Sequence, residues 1–239
     1  MPVDYKRAAA ELSSILHLEA PPIGITFSDE VPEGVPAFDA PMAEPTPDGR
    51  TGRVPAGCVF WMKATDRTFS TVPEDHGNCS VGSLTHGLLS LEEAAGRADV
   101  AALVESEWVT EDVFPDIPTV SERPGSITYG PVSEAVVEPD VVFLRVSPKQ
   151  LMILSDALPD LHIGGKPQCH IVAMAKEHDQ VAASVGCMLS RTRTGMSSDE
   201  MTCALPTGRL DDVLGKLKPA AEADAKVATY AAEDSRRFG

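Results

Sequence analysis

Two segments of this chain carry the same spaced set of residues. The first holds Pro55, Cys58 and Ala64, then Cys79 and Gly87; the second holds Pro167, Cys169 and Ala175, then Cys187 and Gly195. In both, Ala follows the first cysteine by six positions and Gly follows the second by eight, while the cysteines stand 21 and 18 residues apart. The extra residues of the first copy fall in the Pro73 to His76 loop. A Pro-led apolar run precedes each copy, Pro22-Ile-Gly-Ile-Thr-Phe27 and Pro139-Asp-Val-Val-Phe-Leu-Arg-Val146. The step from Cys58 to Cys169 is far longer than any solenoid repeat and points to duplicated halves. The expectation is a single domain over 1–239, with half 1 about 20–131, half 2 about 137–217 and a C-terminal helical extension over 207–239. Chance matching of Ala- and Gly-containing segments is the alternative. Paired about a pseudo-two-fold axis, such halves would bring four thiols towards one place.

Composition narrows the function classes. A 43% hydrophobic content over 239 residues supplies a sizeable core. The formal charge of -16 repels phosphate backbones and acidic membrane surfaces, which argues against nucleic acid and membrane as partners. No apolar run of membrane-spanning length occurs, and the opening Met-Pro-Val-Asp-Tyr-Lys has neither the basic nor the apolar region of a signal peptide. The chain is therefore expected in the cytoplasm. There thiols stay reduced, so five cysteines are expected free, catalytic or metal-bound rather than paired. Asn78-Cys79-Ser80 matches the glycosylation pattern, but that pattern carries no meaning in this compartment.

Periodicity predicts a mixed chain. Ala8, Leu12, Ile15 and Leu16 give an opening helix over Tyr5 to Leu18, and Ile23 to Phe27 gives a strand. Val31 to Gly57, with six prolines, reads as a long irregular loop, either a lid over a site or a disordered segment. Cys58 to Thr65 and Cys169 to Lys176 read as helices with Pro55 and Pro167 in their first turns. Thr68 to Val72 and Gln180 to Val185 read as strands, so each copy runs strand, helix, strand, cysteine, which favours parallel pairing. Ser90 to Glu107 is one capped helix, with Glu93 completing a capping box. Ile127 to Val132 and Val141 to Val146 are strands and Lys149 to Leu158 a helix. A short strand over Met201 to Leu205 is followed by Ala-rich helix over Leu210 to Ala232, broken at Pro219. The fold class is α/β or mixed α+β: two pseudo-symmetric strand-helix-strand halves on one core, closed by a helix.

The chemistry concentrates at the repeated cysteines. A thiol at a helix N-terminus feels unpaired N–H groups and the positive end of the dipole, which favour thiolate; Cys58 and Cys169 satisfy that condition. Cys79 and Cys187 follow strands beside glycines, where α/β sheets bind ligands. Four thiolates suit zinc or an iron-sulfur cluster, although Cys-x-x-Cys spacing is absent. Inert packing is the plain alternative, since free cysteine behaves as a small hydrophobe. His76 and His86 add imidazoles around Cys79, a mix that serves zinc, haem or thiolate catalysis. Thr194 occupies the place of His86 in the second copy, so the half-sites are unequal. His17, His162 and His178 are expected to be solvated or satisfied by backbone partners. Arg191 and Arg193, with Lys166 in Gly164-Gly-Lys-Pro167, form a candidate anion site; alternatively both arginines pair with Asp199 and Glu200. No P-loop, dinucleotide fingerprint, nucleophile elbow or zincin motif occurs.

The doubled cysteine segments, the strand PPIGITF, the stretch YGPVSEAVVEPDVVFLRVSPKQLMIL and the closing VGCMLSRTRTGMSSDEMTCALP resemble an uncharacterised prokaryotic family, domain of unknown function 169. The likeness runs from about Leu12 to Leu217. It implies no reaction and carries over no catalytic residue. Three readings stand beside it. One is a redox protein in which Cys58, Cys79, Cys169 and Cys187, with His76 or His86 as substitutes, hold an iron-sulfur cluster or other metal, haem being the variant cofactor. A second is a binding protein for a small anionic ligand held by Lys166, Arg191 and Arg193. The third is a thiol enzyme using Cys79 with a histidine base. A small-molecule ligand or substrate is the expected partner, with a homo-oligomer left open.

Overall fold

A computed structural model describes residues 3–39 and 54–238. In chain order the elements are α1 (Tyr5–Leu16), β1 (Ile23–Ser28), α2 (Val59–Lys63), β2 (Phe69–Thr71), α3 (Ser80–Thr85), α4 (Leu91–Ala95), α5 (Ala98–Glu105) and β3 (Ser126–Pro131). They continue with β4 (Val141–Val146), α6 (Pro148–Ala157), β5 (His162–Gly164), α7 (His170–His178), β6 (Ala182–Ser184), α8 (Met188–Thr194), β7 (Met201–Pro206) and α9 (Leu210–Ser235). The strands form one sheet in the order β2-β3-β1-β4-β7-β6-β5.

The two faces of that sheet bury separate cores, and strand alternation decides which side chain joins which. Along β4, Val142, Leu144 and Val146 join the core under α1, α6 and α9, while Val141 and Phe143 join the other, under α2 and α7. On β7, Cys203 and Leu205 go to the first face and Ala204 to the second. Cys203, fully buried, is thus a packing residue on the face away from the other cysteines.

Strand order and register read alike outward from the contact between β1 and β4. At this seam Ile23 faces Phe143, Gly24 faces Val142 and Ile25 faces Val141. Next, Ile23 faces Pro131 on β3, as Val141 faces Pro206 on β7. Further out, Phe69 of β2 faces Tyr129 and Ala182 of β6 faces Ala204. The expected direct parallel pairing within each half is corrected here. β1 and β2 do run in the same direction, but β3 lies antiparallel between them, and β7 separates β4 from β6 in the same way. Only β5 and β6 pair in parallel among the described strands.

Two helix boundaries also differ from the sequence reading. Ser90 and Glu93 form the expected capping box, but the helix ends at Gly96, and the extended Arg97 separates α4 from α5. Conversely, α9 runs unbroken through Pro219. Proline there removes the bond to the Gly215 carbonyl; both residues are exposed, so water can satisfy that oxygen. The proline-rich loop falls largely on 40–53, outside the described residues. Its flanks are anchored: Phe38 is buried, Ala37 bridges Ser70, and Asn78 Nδ2 donates to the Val54 carbonyl at 2.7 Å.

Candidate cysteine site

All four repeated cysteines occupy helix N-caps: Cys58 on α2, Cys79 on α3, Cys169 on α7 and Cys187 on α8. For Cys79 and Cys187 this corrects the reading as bare strand ends; the sequence missed α3 and α8 because both are short. Pro55 and Pro167 lie ahead of the first turns rather than within them. The local geometry repeats at the glycines as well. Gly87 and Gly195, eight residues beyond Cys79 and Cys187, close their helices in the left-handed region, at φ 72° and 75°. Glycine adopts that conformation without a Cβ penalty.

Cys58 and Cys169 each lie within electrostatic reach of the other three repeated cysteines. Burial pushes the Cys169 thiol well up, and Cys79, Cys58 and Cys187 each add to the rise because they lie within electrostatic reach of it. Burial likewise raises Cys58, with Cys187 contributing, and raises Cys79 to about 12, with Cys58 and Asp99 contributing. Solvent contact separates the four from the fifth cysteine: Cys79, Cys169 and Cys187 keep 7–8% exposure and Cys58 is half-buried, whereas Cys203 keeps none.

Three of the sulfurs are flanked across the seam. Ser190 and Gln168 of the second half stand beside Cys58, and Thr85 of the first half stands beside Cys169. Arg193 Nη1 donates to the Asn78 carbonyl at 3.4 Å, which brings a positive charge near Cys79. The Asp99 carboxylate of α5 accepts from the Ser80 amide at 2.9 Å and from the Ser80 hydroxyl at 2.7 Å. It thereby supplies from outside the acceptor that a capping side chain would give the start of α3.

The two histidines are neutral and their tautomers follow from their partners. The Thr71 hydroxyl donates to the Ile127 carbonyl, so it accepts from His76 Nε2–H at 2.9 Å. His86 Nδ1 faces the Gly82 carbonyl at 2.9 Å and must carry the proton there, leaving a bare Nε2 that is buried without a hydrogen-bond partner among the described residues. Burial depresses His76 to about 3, with His86 contributing, and His86 to about 4. The rings lie 6.3 Å apart.

With that geometry established, comparison supplies a family. The sequence model of domain of unknown function 169, described as uncharacterised ArCR, matches residues 11–216. The chain belongs to this family. No curated protein and no solved structure matches it. The family match runs from within α1 into α9 and takes in every cysteine.

Within the matched region, the three candidate anion ligands go to separate backbone oxygens. Arg191 fills the space over Gly186, where a Cβ would lie 1.8 Å from its Nη1. Only a residue without a side chain admits that approach. The same guanidinium donates to the carbonyls of Val185, Ser198 and Glu200. The pairing expected for Arg191 and Glu200 is thus made to backbone. The Glu200 carboxylate instead takes a two-pronged bond from Arg145, with Nε at 2.6 Å and Nη2 at 2.7 Å. Such a planar fork matches a carboxylate in both charge and shape. Lys166 Nζ donates to the Trp108 carbonyl and lies 4.1 Å from the Trp108 ring centroid.

Sequence reasoning also missed Thr85, Gln168 and Ser190. Gln168 had the clearest signal, a polar residue before Cys169 in an apolar stretch, and it is 1% exposed with both amide atoms unbonded among the described residues.

Proposed function

We propose that this protein is a redox protein in which Cys58, Cys79, Cys169 and Cys187 ligate an iron-sulfur cluster. The observation that carries the reading is that Cys58 and Cys169, each at a helix start, lie within electrostatic reach of the other three thiols, themselves at helix starts in both halves. Among the described residues, no three His, Cys, Asp or Glu side chains are gathered to hold one metal ion. A single zinc holds its sulfurs at about 2.3 Å, whereas a four-iron cluster takes one cysteine per iron and so suits sulfurs spread more widely. Haem is less well matched by a donor set of four thiols, since it takes its protein donors along one axis.

When bound, iron would supply positive charge that favours thiolate over buried thiol, and one-electron chemistry. The chain's own residues do the rest. Four helix N-termini and Arg193 offset negative charge in a protein that is otherwise acidic. The unbonded Gln168 amide beside Cys58 offers a donor to sulfur, and burial keeps water away.

Thiol catalysis by Cys79 is the weaker reading, because a nucleophile near neutral pH needs a lowered thiol and a base able to hold its proton. Here Cys79 is pushed up to about 12 and both histidines are pushed down.

Anaerobic purification followed by visible absorption and metal analysis tests the proposal. Wild type is expected to be coloured and to contain iron, and Cys79→Ser and Cys187→Ser to lose both. A colourless, metal-free wild type that also fails to take up iron and sulfide would end it.

A further inference from the structure

A cavity lies between the stretch that follows α5 and the segment running from β5 into α7. Its volume is about 560 Å³. That falls within the range of roughly 300–1,000 Å³ typical of small-molecule sites. One wall comes from the first-half stretch between α5 and β3, which places Trp108, Val109, Phe114 and Ile117. The other comes from β5 and the start of α7, which place His162, Lys166, His170 and Met174. Most of the lining is apolar, and its cationic side chains sit together on the second wall.

That cluster has unused hydrogen-bonding capacity. His170 is the titratable group of the lining that is buried, at 7% exposure. Its Nδ1 donates to the Pro167 carbonyl, so Nε2 faces outward as a lone pair. A Cβ on Gly164 would lie 2.9 Å from His170 Nε2 and 3.2 Å from His162 Nε2, so the two ring nitrogens gather over a residue that has no side chain. Lys166 spends one of its three N–H groups on the Trp108 carbonyl, its only acceptor among the described residues.

We propose that this pocket binds a small carboxylic acid with an apolar body, the body among Trp108, Phe114, Ile117 and Met174 and the carboxylate against Lys166, His162 and His170. Lys166 and His162 donate to the carboxylate oxygens; burial, with His162 contributing, disfavours the protonated form of His170 before ligand binding, and a bound carboxylate would offset that and let His170 take a proton at Nε2 as a third donor. A monoanion fits better than a phosphate, because Glu107 and Asp116 on the first wall would repel the larger charge. Those carboxylates are exposed and solvated, so they oppose a single charge only weakly. The proposal does not depend on what the cysteines bind.

Titration of the full chain with decanoate and with decanol, followed by Trp108 fluorescence and by calorimetry, tests it. Decanoate is expected to saturate and to bind at least about tenfold more tightly than decanol, as expected for a charge-assisted contact. Lys166→Met and His162→Gln, both at exposed positions, should each weaken decanoate about fivefold or more and leave decanol unchanged. Trp108→Phe should abolish the fluorescence change while calorimetric binding persists. Absence of saturable decanoate binding, or decanoate and decanol binding alike with no response to Lys166→Met, would overturn the assignment.

Discussion

The cysteine cluster and the pocket draw differently on the two halves. A strand order, a register and a cysteine at each of four helix starts recur in both halves and position the cysteines. The pocket takes one wall from the long stretch between α5 and β3, which has only a short counterpart between α8 and β7, and the other from the segment running from β5 into α7. Polar neighbours of the cysteines differ too: His76 and His86 belong to the first half, Arg193, Gln168 and Ser190 to the second. The recurring elements thus place the sulfurs, and the elements that differ set the charges around them.

The largest effect expected from this contrast separates the four paired cysteines from the fifth. Serine at Cys58, Cys79, Cys169 or Cys187 should each abolish cofactor content, while Cys203→Ala, on the opposite face of the sheet, should retain it with a modest fall in melting temperature. Retention in any of the four would break the equivalence of the halves.

A pH effect should come next and should be lopsided. Burial lowers His76 to about 3 and His86 to about 4. The folded chain therefore refuses protons that the unfolded chain accepts near pH 6.5. Stability is full above about pH 6.5 and drains as pH falls towards 4, on the order of 3 kcal/mol from His86 alone. Hydrogen exchange of the cofactor-free protein, corrected for intrinsic rates, should show α3 losing protection as the medium is acidified through that window while α8, with Thr194 in the matching place, does not. His86→Gln should flatten the response.

Arg145 sharpens the comparison differently. Its register equivalent on β1 is Phe27, which packs 5.8 Å from the His86 ring, so one strand position serves an ion pair in one half and an aromatic contact in the other. Arg145→Ala strands the largely buried Glu200 carboxylate and should cost about 2–3 kcal/mol in urea unfolding, less than a fully buried pair.

The smallest contrast lies in the matched glycines. Gly195→Ala meets open space. It should cost only the left-handed backbone penalty, about 1 kcal/mol. Gly87→Ala should cost more, because its Cβ would approach the Val120 carbonyl to 2.7 Å. Equal losses in thermal melts would contradict the geometry at Gly87.

Most of the strands and the long helices were legible in the sequence, since apolar alternation and capping residues are local signals; Ser90 with Glu93 and Ser147 with Gln150 are instances. Pairing was not, because nothing local to β1 announces that β3, far along the chain, will slide between it and β2. The matching spacing of Cys58 and Cys169 and of Cys79 and Cys187 was readable in the sequence, but the N-cap role of Cys79 and Cys187 needed short helices that periodicity cannot resolve. Lys166, Arg191 and Arg193 looked like one anion site because they are close in sequence. In space their guanidinium and ammonium groups serve three separate carbonyl neighbourhoods, and the acceptor of the real ion pair, Glu200, finds Arg145 on another strand.

The most direct test of the central claim is iron and acid-labile sulfide per chain, measured after anaerobic reconstitution of wild type and of the four single cysteine variants. One four-iron cluster held by both halves predicts about four of each in wild type and loss in every variant alike. Metal held fully by variants of one half and lost only from the other would show that the four thiols do not form one site.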